Sequence, residues 1–324
     1  MILAASDMGA RNINSPSLWI GFLAGILLLL AIDLRVSAKK DAVAGFREAL
    51  YWSLFWIALS LGFGAWLWVR YGGQQGLEFF AGYLLEKSLS VDNLFVFVLL
   101  FQSFAIPAQY QHRVLFWGVL GALILRGGLI FAGVTLVHRF NWVIAVFGAI
   151  LVYTGVKILL QKDGEGERSP ADNGFVRWVR KRMPMTTTIE GPEFFVVREG
   201  KRFATPLLLA VIAAETADLV FALDSIPAVF AVTDDSFLVF SSNVCALLGL
   251  RALYFVVRGV LSKVRFLKPG LAAILLFVGT KMVLFKWMHL PTGTSLLIIA
   301  GILVAAVVVS WLRPVPASDK QTTP

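Results

Sequence analysis

Five carboxylates lie inside apolar sequence: Glu86 and Asp92 within residues 79–101, and Glu215, Asp218 and Asp224 within residues 206–231. An acid near the middle of a membrane-crossing helix costs roughly 2.5 to 3.5 kcal/mol on insertion scales, so three in one segment need a compensating partner. A bound cation is the partner this chemistry favours. Carboxylates crowded in low dielectric cannot all stay ionised once the metal leaves, so some then take up protons and exchange of metal for protons follows. Asp92 and Asp224, each followed by an amide or a hydroxyl (Asn93, Ser225), are the first choice of metal ligands, with Glu86, Glu215 and Asp218 as further ligands or proton acceptors. Ser88, Ser90, Thr216, Asn93, Ser225 and Asn243 can add neutral oxygens or orient the ligands. Taken singly, such residues more often make ordinary interhelical hydrogen bonds.

The other polar residues in these runs suit structural work. A guanidinium repels a cation, so Arg126 and Arg251 are expected as partners of acids, and Lys157 and Lys281 as structural charges. Lys87 follows Glu86 directly, points elsewhere, and is expected to pair with a neighbouring acid. His112, His138 and His289 fall at segment ends or in loops, and the lone Cys245 sits in an apolar run. That leaves an all-oxygen site, which suits Mn²⁺, Ca²⁺ or Mg²⁺ better than zinc or copper. The metal is cargo; no permanent cofactor and no catalytic group is called for.

What must position these acids is a set of membrane helices. With 58% hydrophobic residues, mean hydropathy +0.78 and only 15% charged residues, the chain reads as an all-α polytopic bundle. Nine spans are expected, at about 18–34, 50–69, 79–101, 114–136, 142–160, 206–231, 236–257, 270–286 and 295–312. A straight helix places Asp224 opposite Glu215, so Pro227 is expected to break the sixth span at residues 224–227 and turn the carboxylates into one cavity. The first residues lack signal-peptide regions, so span one is expected to direct insertion.

The net charge of +9 is topological rather than a nucleic-acid surface. With the N-terminus outside, twenty Lys and Arg fall in inner segments against four in outer ones, which predicts N-out and C-in with contact to membrane lipids. Nine of them lie in the loop at 161–205. Its first part is turn-rich; FVRWVRKRM suits a short helix on the inner leaflet, and EFFVVREGKRFATP a hairpin turning at Glu199 and Gly200. This loop is either a tether or a regulatory piece.

An internal repeat organises the rest. Glu86 and Asp92 are six apart, as are Asp218 and Asp224; Arg126 in GALILRGG answers Arg251 in ALLGLRAL, and Lys157 answers Lys281 at spacings of 31 and 30 residues. Three spans per unit is odd, so the units insert oppositely, an inverted three-helix repeat of spans three to five and six to eight. The expected divisions are 1–78 (peripheral spans), 79–160 (first repeat), 161–205 (basic loop), 206–286 (second repeat) and 287–324 (last span and tail).

At these residues the chain resembles the TerC/Alx family of bacterial inner-membrane proteins, within the wider LysE-like exporter group. The resemblance is carried by EKSLSVDNLFVF, RVLFWGVLGALILRG, FGAILVYTGVKI, ETADLVFALDSIPAVFAVT, SNVCALLGLRALYF, GLAAILLFVGTKM and the loop's FFVVREGKRFATPL. It implies manganese export and protection from manganese excess, most like a branch linked to alkaline-pH response, and maps the acidic positions onto Glu86, Asp92, Glu215, Asp218 and Asp224. The leading expectation is a secondary transporter exporting Mn²⁺ through a midplane carboxylate site in exchange for protons, since no P-loop or phosphorylation motif is present. Two alternatives stand beside it: a membrane scaffold or sensor for tellurite or pH stress, and an intramembrane aspartyl or metal hydrolase built on Asp92 and Asp224. Oligomeric state is left open.

Overall fold

Lipid offers a backbone no water to bond, so an apolar chain satisfies its amides within helices. The computed structural model describes residues 13–38, 45–140, 142–160, 174–186, 189, 191–198, 200–260, 267–284 and 290–312; the side chains of Asp92 and Asp224 are outside the described set. So are the turn-rich stretch 162–173, Glu199 at the hairpin corner, His289 and the tail from 313.

The protein is an all-α, multi-pass membrane protein. Its helices are α1 (Pro16–Ala38), α2 (Phe46–Tyr71), α3 (Gly73–Ser103), α4 (Ala108–Arg139), α5 (Trp142–Leu160), α6 (Gly174–Arg182), α7 (Pro206–Phe230), α8 (Ser236–Leu247), α9 (Leu250–Val260), α10 (Leu267–Val283) and α11 (Thr292–Leu312). Between α6 and α7, β1 (Phe195–Arg198) and β2 (Lys201–Ala204) pair antiparallel, Phe195 opposite Ala204 and Arg198 opposite Lys201. Among the described residues, six helices are long and apolar enough to cross a membrane, namely α1, α2, α4, α5, α7 and α11. The bent pair α8 and α9 makes a seventh. The two remaining long elements are α3, whose 31 residues include Glu78, Glu86, Lys87 and Asp92, and the 17-residue α10.

The expected break in the sixth span is not there. α7 runs unbroken from Pro206 to Phe230 with Pro227 inside it. Proline deprives one carbonyl of its donor, but Ile226, Ala228, Val229 and Phe230 are all buried against neighbouring helices. The chain beyond resumes bonding, Ala231 N–H donating to the Pro227 carbonyl. Packing thus holds the helix through its proline. The break falls one span later, where α8 and α9 bend by 44° at Leu248 and Gly249. Gly249 adopts φ +75°, and a Cβ there would approach Trp56 Cβ of α2 to 2.6 Å, so the position requires glycine twice over.

Two features fix the helices around the acids. α5 and α10 cross at backbone contact: a Cβ on Gly148 would lie 2.8 Å from the Gly279 carbonyl, and one on Gly155 would lie 3.1 Å from the Ala272 carbonyl. Shifting by 124 positions turns residue 148 into 272 and 155 into 279, so the two contacts exchange with each other. Small residues let helix backbones approach this closely where lipid gives no hydrophobic drive. α3 packs on α7 and α8, and α4 on α7, so α7 lies between the two helices that carry Glu86 and Arg126.

Candidate functional site

The site grows from Arg126. On α4 it is 1% exposed, and a buried guanidinium must have its donors met. Nη1 donates to Glu86 Oε2 of α3 at 2.6 Å; Nη2 and Nε donate to Asp218 Oδ1 and Oδ2 of α7 at 2.8 and 3.0 Å. The fork-to-fork pairing with Asp218 is the strong planar geometry of arginine and carboxylate. Ser225 Oγ accepts a longer bond from Nη1 at 3.4 Å, and Asn93 Nδ2 donates to Asp218 Oδ1 at 3.1 Å. Glu86 is fully buried, while the Asp218 side chain is 13% exposed.

With both carboxylates ionised, one guanidinium faces two negative charges, leaving one unit in excess. Glu86 Oε1 is buried and bonded to no protein group. Glu215, one turn before Asp218 on α7, has both carboxyl oxygens buried and unbonded. It sits over Gly121 of α4, where any Cβ would collide with the carboxyl group. It also lines a groove of about 480 Å³ with Trp117, Ile124, Phe194, Leu208 and Val211. Buried oxygens without hydrogen-bond partners are open to a proton or a cation. Among the described residues, no three of His, Cys, Asp and Glu stand close enough together to clasp a metal ion.

The other singled-out residues divide. Ser90 Oγ on α3 and Asn243 Nδ2 on α8 are buried and unbonded. Ser88 and Thr216 turn back on their own helices, donating to the Leu84 and Ile212 carbonyls. Arg251 pairs with Asp33 of α1 at 2.6 Å, and Lys281 donates to Ser295 Oγ at 3.0 Å and the Ala231 carbonyl at 3.3 Å. Lys157 is exposed at the end of α5. Among the described residues Lys87 pairs with no acid: its ammonium donates to the Ala246 and Leu248 carbonyls at the α8–α9 break. Sequence reasoning passed over Asp33 and Gly121. The signal for Asp33 was a lone acid ending the apolar run LLLLAID; for Gly121 there was none, since glycine is frequent in such helices.

Comparison with known proteins places the chain in a family. A model described as integral membrane protein TerC family matches residues 71–317. The chain is 50% identical over 310 residues to the membrane protein STKORF319 of Myxococcus xanthus, covering 95% of this chain and 97% of that one. It is 44% identical over 322 residues to Alx of Photorhabdus laumondii, described as a candidate membrane-bound redox modulator, covering 96% and 100%. The Alx of Escherichia coli K12, described alike, is 45% identical over 313 residues, covering 94% and 97%. No solved structure matches the chain.

Proposed function

The chain belongs to the TerC family of integral membrane proteins, and from that premise we propose that it is a secondary transporter exporting a hard divalent cation, foremost Mn²⁺, in exchange for protons. In this reading it crosses the bacterial inner membrane with its N-terminus outside and its C-terminus in the cytoplasm. The observation that carries it is the excess of carboxylate over guanidinium around Arg126, with Glu86 Oε1 and both Glu215 oxygens left unbonded in the interior.

Arg126 bridges Glu86 and Asp218 while metal is absent. An arriving divalent ion competes with the guanidinium for the same oxygens, and hard, all-oxygen donors suit Mn²⁺. Asp92 and Asp224, each six residues beyond an acid that Arg126 holds, complete the proposed ligand set. Protons neutralise whatever carboxylates the departing ion leaves, which couples the two fluxes.

The test is flux into vesicles containing only the purified chain. Mn²⁺ entry should move protons the other way, resist Ca²⁺ and Mg²⁺ competition, and fall at least roughly ten-fold in Glu86→Gln, about the loss of one charge-assisted contact. Flux no greater than in protein-free vesicles would sink the proposal. A redox reading suggested by the relatives' description lacks a thiol pair here, since Cys245 is the chain's single cysteine and is buried. A scaffold or sensor acting through residues 161–205 predicts instead that manganese handling survives Asp224→Ala and fails when residues 163–200 are deleted.

A further inference from the structure

A helix end leaves its last carbonyls without amide partners, and a bend prevents the next helix from supplying them. At the C-terminus of α8 those groups belong to Cys245, Ala246, Leu247 and Leu248. Lys87 Nζ of α3 serves two of them, donating to the Ala246 carbonyl at 3.1 Å and the Leu248 carbonyl at 3.4 Å, while the Ser60 hydroxyl of α2 gives its one proton to the Trp56 carbonyl of its own helix at 2.8 Å and only approaches the Cys245 carbonyl at 3.3 Å. Lys87 is half-buried and sits beside Glu86 in sequence, yet among the described residues its ammonium goes to backbone oxygens and to no acid.

Freed carbonyls at the negative end of a broken helix are the donor set with which membrane proteins hold small monovalent cations. Eleven of the twelve residues of α8, from Phe237 to Leu247, are buried, and Leu248 after them is 4% exposed. We propose that the Lys87 ammonium occupies a monovalent-cation site at the α8–α9 break, a tethered cation in place of a diffusible one, so that the break holds without sodium or potassium. The proposal concerns the break alone and stands whether or not the carboxylates around Arg126 carry manganese.

Thermal unfolding of the purified full-length chain, followed in sodium, potassium and N-methylglucamine chlorides at equal ionic strength, tests it. The wild-type midpoint should be the same in all three. Lys87→Met, which keeps the stem and removes the charge, should fall by roughly 5 °C in N-methylglucamine, as expected for a lost charged hydrogen bond. Sodium or methylammonium chloride should restore at least half of that loss, whereas Lys87→Arg should stay indifferent to the salt. A wild type stabilised by sodium over N-methylglucamine overturns the proposal, because a diffusible cation then has its own place. So does a Lys87→Met chain that responds to neither small cation. If Lys87→Met folds only in sodium or methylammonium the proposal gains support; if it folds in neither, the proposal fails.

Discussion

Replacing Arg126 by Met would leave Glu86 and Asp218 buried without their shared cation, and breaking a buried pair from one side costs about 3 to 5 kcal/mol. The expected outcome is a lower unfolding midpoint for the purified chain, recovered in large part when Glu86→Gln and Asp218→Asn are added. Gly121→Ala tests the neighbouring carboxyl. Helix propensity favours alanine by up to about 1 kcal/mol, but the new Cβ collides with Glu215, and displacement outweighs propensity. Manganese flux should drop roughly ten-fold or more with little loss of stability, since misplacing one functional group by an ångström costs as much; unchanged flux would remove Glu215 from the site. Arg126 as a partner of acids was legible, because a lone guanidinium in apolar sequence has to be paired. That it grips Glu86 and Asp218 together was not, for no spacing on either segment encodes which face of α4 meets them. Nor was the Arg251 to Asp33 pair, which joins residues 218 apart in sequence.

Among the elements, the break is where sequence and structure part. Proline is the loud signal and Gly249 the quiet one, yet tertiary packing kept α7 continuous through Pro227, and a positive φ against Trp56 bent α8 from α9. Gly249→Ala should therefore cost about 1 to 3 kcal/mol, read as an earlier thermal transition, while Pro227→Ala should be neutral or stabilising. α6 makes a second element-scale prediction. It buries Val176 and Val179 and exposes a stacked Phe175 and Trp178, with Arg182 over the Trp178 ring at 5.2 Å and Arg177, Arg180 and Lys181 alongside. Aromatic and basic side chains on one exposed short helix suit an anionic leaflet, each basic residue adding about 1 kcal/mol. Nanodiscs with phosphatidylglycerol should raise the midpoint over neutral ones, and Arg180→Glu with Lys181→Glu should abolish the difference. This helix was readable because nine residues of FVRWVRKRM carry their own amphipathic pattern; the packing of the long helices was not, since they are apolar nearly all round.

For the molecule as a whole, the two segments proposed as repeats do not use their arginines alike. Arg126 turns inward between Glu86 and Asp218, which are themselves 132 positions apart in register, while Arg251 ties α9 outward to α1. The odd number of spans expected from the sequence puts the termini on different sides: in a Cys245→Ser chain, a membrane-impermeant maleimide should reach a cysteine at Ser6 from outside and one at Ser318 from inside only. The seam of α5 and α10 then acquires a particular meaning. If the inward-open and outward-open forms arise by swapping the roles of two pseudo-equivalent halves, whatever lies on the axis relating them maps onto itself. The α5 and α10 crossing midway between the Gly148–Gly279 and Gly155–Ala272 contacts would be such a fixed point, an axle that keeps one shape while the flanking helices trade places, and a covalent staple across it should leave turnover running.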